Sequence, residues 1–130
     1  MKILVDTCTF LWWALGDAQV PAGTRRLLTD PANEVHLSAV SIWEIAIKHA
    51  IGRLGLPESP ERWVPVKRAR YGLDLLPIGE AEALHVGKLP PIHRDPFDRM
   101  LVAQSICHGL ELATPDPNIQ KYPCRILWPA

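Results

Sequence analysis

Cysteine is scarce and unpaired: Cys8, Cys107 and Cys124 are the only three in 130 residues, and no CxxC spacing occurs. An odd, scattered set excludes a disulfide framework and a cysteine zinc site, and reduced thiols fit a cytoplasmic setting. Net charge is missing as well, since 14 basic residues balance 14 acidic ones. Without a global field, any nucleic-acid binding has to come from a local basic patch. No apolar run approaches the roughly 18 residues of a membrane helix. Asp6 interrupts the opening apolar stretch where a signal peptide would continue it. GxGxxG, Walker and HExxH spacings are all absent, and Ser38 and Ser41 lack the glycines of a nucleophile elbow. The five histidines are scattered and read as surface or satisfied groups rather than zinc ligands.

What is present is enough for one domain over residues 1–130. A chain of this length buries about two-thirds of its unfolded surface, and 48% of the residues are hydrophobic. Ile3, Leu4 and Val5 read as a buried first strand, with a helix over 7–15 behind it. A second helix opens at Pro21-Ala22-Gly23, and residues 34–39 form the second strand. The helix expected over 41–51 is apolar almost all round, which predicts burial between other elements. Residues 57–71 are interrupted by Pro57, Pro60 and Pro65 and read as a loop and an irregular helix. A third strand over 73–78 and a short helix over 79–86 follow. Asp95-Pro96 starts the most regular helix, closed by Gly109 as a C-terminal cap. Strands over 110–114 and 125–128 complete the pattern. Short strands alternating with helices imply an α/β domain with a largely parallel sheet of four or five strands.

Four acids fall where such a sheet gathers its ligands. Asp6 and Asp116 come just after strands, while Glu44 and Asp98 lie in the first turns of helices. Carboxyl ends of strands and amino ends of helices share one edge of an open sheet, so these side chains can converge there. Clustered carboxylates repel one another, and a hard oxygen-loving dication, Mg²⁺ or Mn²⁺, relieves the repulsion. Local readings stand beside this one. Ser41-Ile42-Trp43-Glu44 is a capping-box pattern, Asp95 caps a helix with Asp98 favouring its dipole, and Asp116 suits a turn. Asp6, at the end of a buried strand, has no comparable local role.

Arg62, Lys67, Arg68 and Arg70, with Trp63 and Tyr71 beside them, suit RNA phosphates and stacked bases, or else a solvated helix face; Lys48 and Arg53 add to the patch. Trp12 and Trp13 cannot both face one core, so one is expected to serve a partner surface. A haloacid-dehalogenase-type phosphotransferase needs a second acid where Cys8 stands. A receiver domain needs a central phosphoacceptor Asp where the chain has Leu56-Pro57-Glu58.

Four stretches, in order, resemble the PIN domain: Leu4-Val5-Asp6-Thr7, Ser41-Ile42-Trp43-Glu44-Ile45, Arg94 to Gln104 with its Asp95-Pro96-Phe97-Asp98-Arg99 run, and Leu112-Ala113-Thr114-Pro115-Asp116. Within that family the chain is similar to the VapC-type ribonuclease toxins of type II toxin–antitoxin systems. The resemblance implies a PIN-like α/β/α sandwich and a Mg²⁺- or Mn²⁺-dependent endoribonuclease whose acidic quartet is Asp6, Glu44, Asp98 and Asp116. It favours Asp98 over Asp95 as ligand, leaving Asp95, Thr7 and Thr114 to orient the quartet. It also implies 5′-phosphate and 3′-hydroxyl products, a homodimer, and inhibition by a VapB-like antitoxin. A catalytically silent module that binds RNA or an antitoxin is the alternative.

Overall fold

The computed structural model describes residues 1–130. Five strands, β1 (Lys2–Val5), β2 (Glu34–Ser38), β3 (Asp74–Leu76), β4 (Glu111–Ala113) and β5 (Ile126–Leu127), form one sheet in the order β3-β2-β1-β4-β5. Every pairing is parallel. β1 is central, with Leu4 registered against His36 on one side and Leu112 on the other. The chain winds outward from β1 to β2 and β3, then returns to add β4 and β5 on the opposite side. The crevice at the carboxyl ends of β1 and β4 is therefore the switch point of the sheet.

Six helices cover the two faces: α1 (Thr7–Ala14), α2 (Ala22–Thr29), α3 (Ala39–Ala50), α4 (Pro60–Arg70), α5 (Glu80–His85) and α6 (Pro96–His108). Alternation along β1 divides the core in two, because successive strand side chains point to opposite faces. Ile3 and Val5 join Phe10, Trp13, Leu28, Trp63 and Val64 on one face. Leu4 joins Leu101, Val102, Leu89 and Leu112 on the other. The result is the three-layer α/β/α sandwich expected from the alternation of strands and helices.

Several local expectations change. α3 begins at Ala39, not near Ser41, because Ser38 is its N-cap and its Oγ accepts from the Val40 N–H at 3.0 Å. Ser41 is thus a buried residue inside the helix, and the Ser41–Glu44 capping box does not form. Nor is α3 buried all round: Trp43 is 57% exposed, and Ile47 also faces outward, as does Ile51 just past its end. Residues 60–70 form a regular helix despite Pro65. Pro60 occupies the first turn, where its missing N–H is harmless, and buried Trp63 and Val64 anchor the helix across the one bond that Pro65 deletes. β3 and β5 are shorter than the runs suggested. Gly109 has φ 64°, the left-handed C-terminal cap that the sequence implied.

Candidate active site

Asp6 follows β1 directly and has the local role that the sequence did not show. It is the N-cap of α1, where its Oδ1 accepts from the Thr9 N–H at 2.7 Å. The residue is only 4% exposed, and the Thr9 hydroxyl beside it donates to the Ala113 carbonyl at 3.2 Å. Glu44 lies in the second turn of α3 and is also buried. The Thr7 hydroxyl donates to its Oε1 at 2.7 Å and sits 2.9 Å from the Ser41 hydroxyl, while Lys48 pairs with its Oε2. Asp98 stands in the first turn of α6, behind the N-cap Asp95, whose Oδ1 accepts from the Phe97 N–H at 2.8 Å and from the Asp98 N–H at 3.4 Å. Asp116 follows β4 and does act as a turn residue, since its Oδ1 accepts from the Asn118 N–H at 2.8 Å. Its own N–H donates to the Thr114 hydroxyl, and Oδ2 remains for the site.

All four acids line one cleft of about 460 Å³ at the switch point, together with Thr7, Asp95, Lys48 and Trp12. Their proximity shows in their electrostatics. Burial, then the charges of Asp95, Glu44, Asp6 and Asp116, push the Asp98 carboxyl up to about 8. Burial also raises Asp6, against the lowering effect of its bonds to Thr114 and Thr9. Cys8, on the rim, is pushed up to about 12 by burial and the same carboxylates. Carboxyls held above their ordinary range, in an oxygen-rich cleft, fit a hard dication: binding one offsets the burial and the repulsion that together keep a proton on Asp98.

The sequence missed His93. Its Nε2 lies 3.2 Å from Asp98 Oδ2 and 3.7 Å from Asp116 Oδ2, and these three side chains offer atoms all within 4.8 Å of one another. The available signal was its place five residues before Asp98 in the run that starts α6. Lys48, expected with the basic stretch, instead faces the acids. Arg62, Lys67, Arg68 and Arg70 lie along α4 and none of them lines the cleft. The aromatic residues beside them are committed elsewhere. Trp63 is buried edge-on against Phe10, while Tyr71 is half-buried, packed on Trp13 with ring centres 4.6 Å apart and lining a separate groove beside Arg70. Of the tryptophan pair, Trp13 enters the core and Trp12 borders the cleft.

Residues 3–123 match the family model for the PIN domain. The chain belongs to the PIN-domain family. Part of this PIN domain is 39% identical over 62 residues to Ribonuclease VapC16 of Mycobacterium tuberculosis, a match covering 48% of the chain and 44% of that relative. The matched stretch is thus less than half the length of the curated relative. Among solved structures, the PIN domain superposes on VapBC2 from Rickettsia felis, bound to a DNA fragment from their promoter. The TM-score is 0.73 and the identity 14%, over 98% of this chain and 97% of that one. It also superposes on VapBC-1 from nontypeable Haemophilus influenzae, with TM-score 0.62 and identity 17%, over 93% and 91% of the two chains. At those identities the likeness is one of fold.

Proposed function

We propose that residues 1–130 form one PIN domain that acts as an endoribonuclease toxin of the VapC type, hydrolysing RNA phosphodiesters with Mg²⁺ or Mn²⁺. One observation carries this reading: four acids from four separate stretches of a PIN-family chain converge on a single cleft. Asp6 and Asp98 would hold the dication, with Glu44 and Asp116 completing the set. When bound, the ion supplies a Lewis acid that lowers the pKa of water and offsets charge on the phosphate. The chain's own groups set the stage for it. Thr7 and Lys48 fix the two oxygens of Glu44, the Thr9 N–H holds Asp6 Oδ1, Thr114 holds the Asp116 backbone, and Asp95 sets the start of α6 and hence the position of Asp98.

Arg62, Lys67, Arg68 and Arg70 would guide the RNA backbone mainly by charge, because Trp63 is buried and Tyr71 packs on Trp13. A VapB-like antitoxin and a second copy of the chain are the proposed protein partners, acting with it in the cytoplasm. The apolar groove between α3 and α4, lined by Ile42, Ala46, Val64, Pro65 and Leu75, and the exposed Trp43 and Ile47 support a protein-covered surface. No helix is long and apolar enough to cross a membrane.

The deciding experiment incubates purified, antitoxin-free protein with total RNA and Mg²⁺ or Mn²⁺. Cleavage is expected to stop in excess EDTA and to fall at least a hundredfold in Asp98→Asn. Cutting that persists in EDTA rejects the metal-dependent chemistry, whereas no cutting by the wild-type chain under any metal favours a silent binding module.

A further inference from the structure

The loop before α6 is tied down more firmly than a connecting segment requires. Arg99, in the first turns of α6, reaches back and donates to the carbonyls of Val86 and Pro90, each at 3.0 Å. It also donates to the Tyr122 hydroxyl at 3.1 Å, and that hydroxyl accepts from the His93 backbone N–H at 2.8 Å. Tyr122 itself is 3% exposed. The clamp joins α6, the loop and the segment after β4, and it leaves the His93 ring facing the acids.

The ring's tautomer follows from its other side. His93 Nδ1 accepts from the Asp95 backbone N–H at 3.3 Å, so it cannot carry a hydrogen there without setting two donors against each other. The hydrogen therefore belongs on Nε2, the nitrogen that lies 3.2 Å from Asp98 Oδ2 and 3.7 Å from Asp116 Oδ2. Metal ligation through Nε2 would require that hydrogen to move to Nδ1, where it would face the Asp95 N–H, so the geometry favours a donor role for His93 although its spacing to the two acids resembles that of a ligand.

We propose that His93 is a positioning residue that presents a proton-bearing Nε2 to Asp98 and Asp116 together and so holds the two carboxylates at the spacing a dication needs. The role rests on the metal-dependent reading above. One carboxylate comes from α6 and the other from the loop after β4, and no direct bond links them. A donor facing one oxygen of each offsets their mutual repulsion when both are ionised and leaves Asp98 Oδ1 free, while Asp116 Oδ1 is already held by the Asn118 N–H. Partners of this kind to metal-binding carboxylates are worth about 10–100-fold in metal affinity.

Two measurements test it. In long-range nitrogen–proton NMR of the metal-free protein, His93 is expected to show hydrogen on Nε2 and none on Nδ1, and to keep that pattern when Mg²⁺ is added. A hydrogen on Nδ1 overturns the proposal. In calorimetric titration with Mn²⁺, His93→Ala is expected to bind at least about tenfold more weakly than wild type, with His93→Gln, which keeps an N–H donor, recovering most of the loss. Tyr122→Phe removes the hydroxyl that ties His93 to Arg99 without touching the acids, and is expected to fall between wild type and His93→Ala. Unchanged Mn²⁺ affinity in a folded His93→Ala overturns the role while leaving the metal site standing. Failure of the wild-type chain to bind Mn²⁺ overturns the metal-dependent reading, and this role with it.

Discussion

Glu44 is shared between two neighbours, Thr7 on one carboxylate oxygen and Lys48 on the other. The lysine is half exposed, so its pairing adds little stability once water and salt screen it. The threonine bond is buried, and removing it strands an oxygen of a buried carboxylate. Thr7→Val is expected to cost about 1–3 kcal/mol in denaturant-unfolding experiments, and to slow RNA cleavage by freeing Glu44 to turn. A variant as stable and as active as wild type would show that the hydroxyl does not orient the acid. Asp6 and Asp116 show how one residue serves two ends. Oδ1 of each satisfies a backbone N–H, of Thr9 and Asn118 respectively. Fold and chemistry are therefore not competing explanations for these positions.

At the scale of elements, α4 is the part of the fold that composition disguised. Three prolines between 57 and 65 suggested irregularity, yet Pro60 begins the helix and only Pro65 sits within it. Since Pro65 is exposed and deletes one helical bond, Pro65→Ala is expected to stabilise the protein by on the order of 1–3 kcal/mol in chemical denaturation. A loss of stability would mean that the groove beside α3 needs the proline ring. The start of α3 carries the same lesson. The Ser41–Glu44 spacing matched a capping box, but Ser38, three residues earlier, takes the cap, and its own hydroxyl donates to buried Gln104 at 2.6 Å. That second bond comes from α6, and no local pattern contains it.

For the molecule as a whole, the acidic cleft is a cost that the rest of the fold carries. An aspartate in an unfolded chain ionises near 4, whereas folded Asp98 holds its proton up to about 8. Between those values the folded state binds more protons than the unfolded one, so metal-free stability falls as pH rises from about 4 to about 8. Asp6, also raised, acts in the same direction. In EDTA, the melting temperature is expected to be lower at pH 8 than at pH 5, with Asp98→Asn losing most of that difference. At a fixed concentration Mn²⁺ should stabilise the wild-type protein more at the higher pH, where fewer protons compete for the acids, reaching about 2.7 kcal/mol where that concentration is 100 times its Kd. A melting temperature indifferent to both pH and metal would mean that the acids do not repel as their placement implies.

Hydrophobic periodicity, caps and turn residues are written along the chain, and through them the sequence alone determined the alternation of strands and helices, the parallel sheet and the edge on which Asp6, Glu44, Asp98 and Asp116 fall. Those signals depend on neighbours within a turn or two. What only the tertiary structure decided is whatever joins distant segments: Thr7 bonded to Glu44, Trp63 packed on Phe10 and Tyr71 on Trp13, and His93 held over Asp98 and Asp116 by Arg99 and Tyr122. A side chain's partners across the sheet depend on how strands up to 108 residues apart are ordered, and that order is set by packing rather than by any local run of residues.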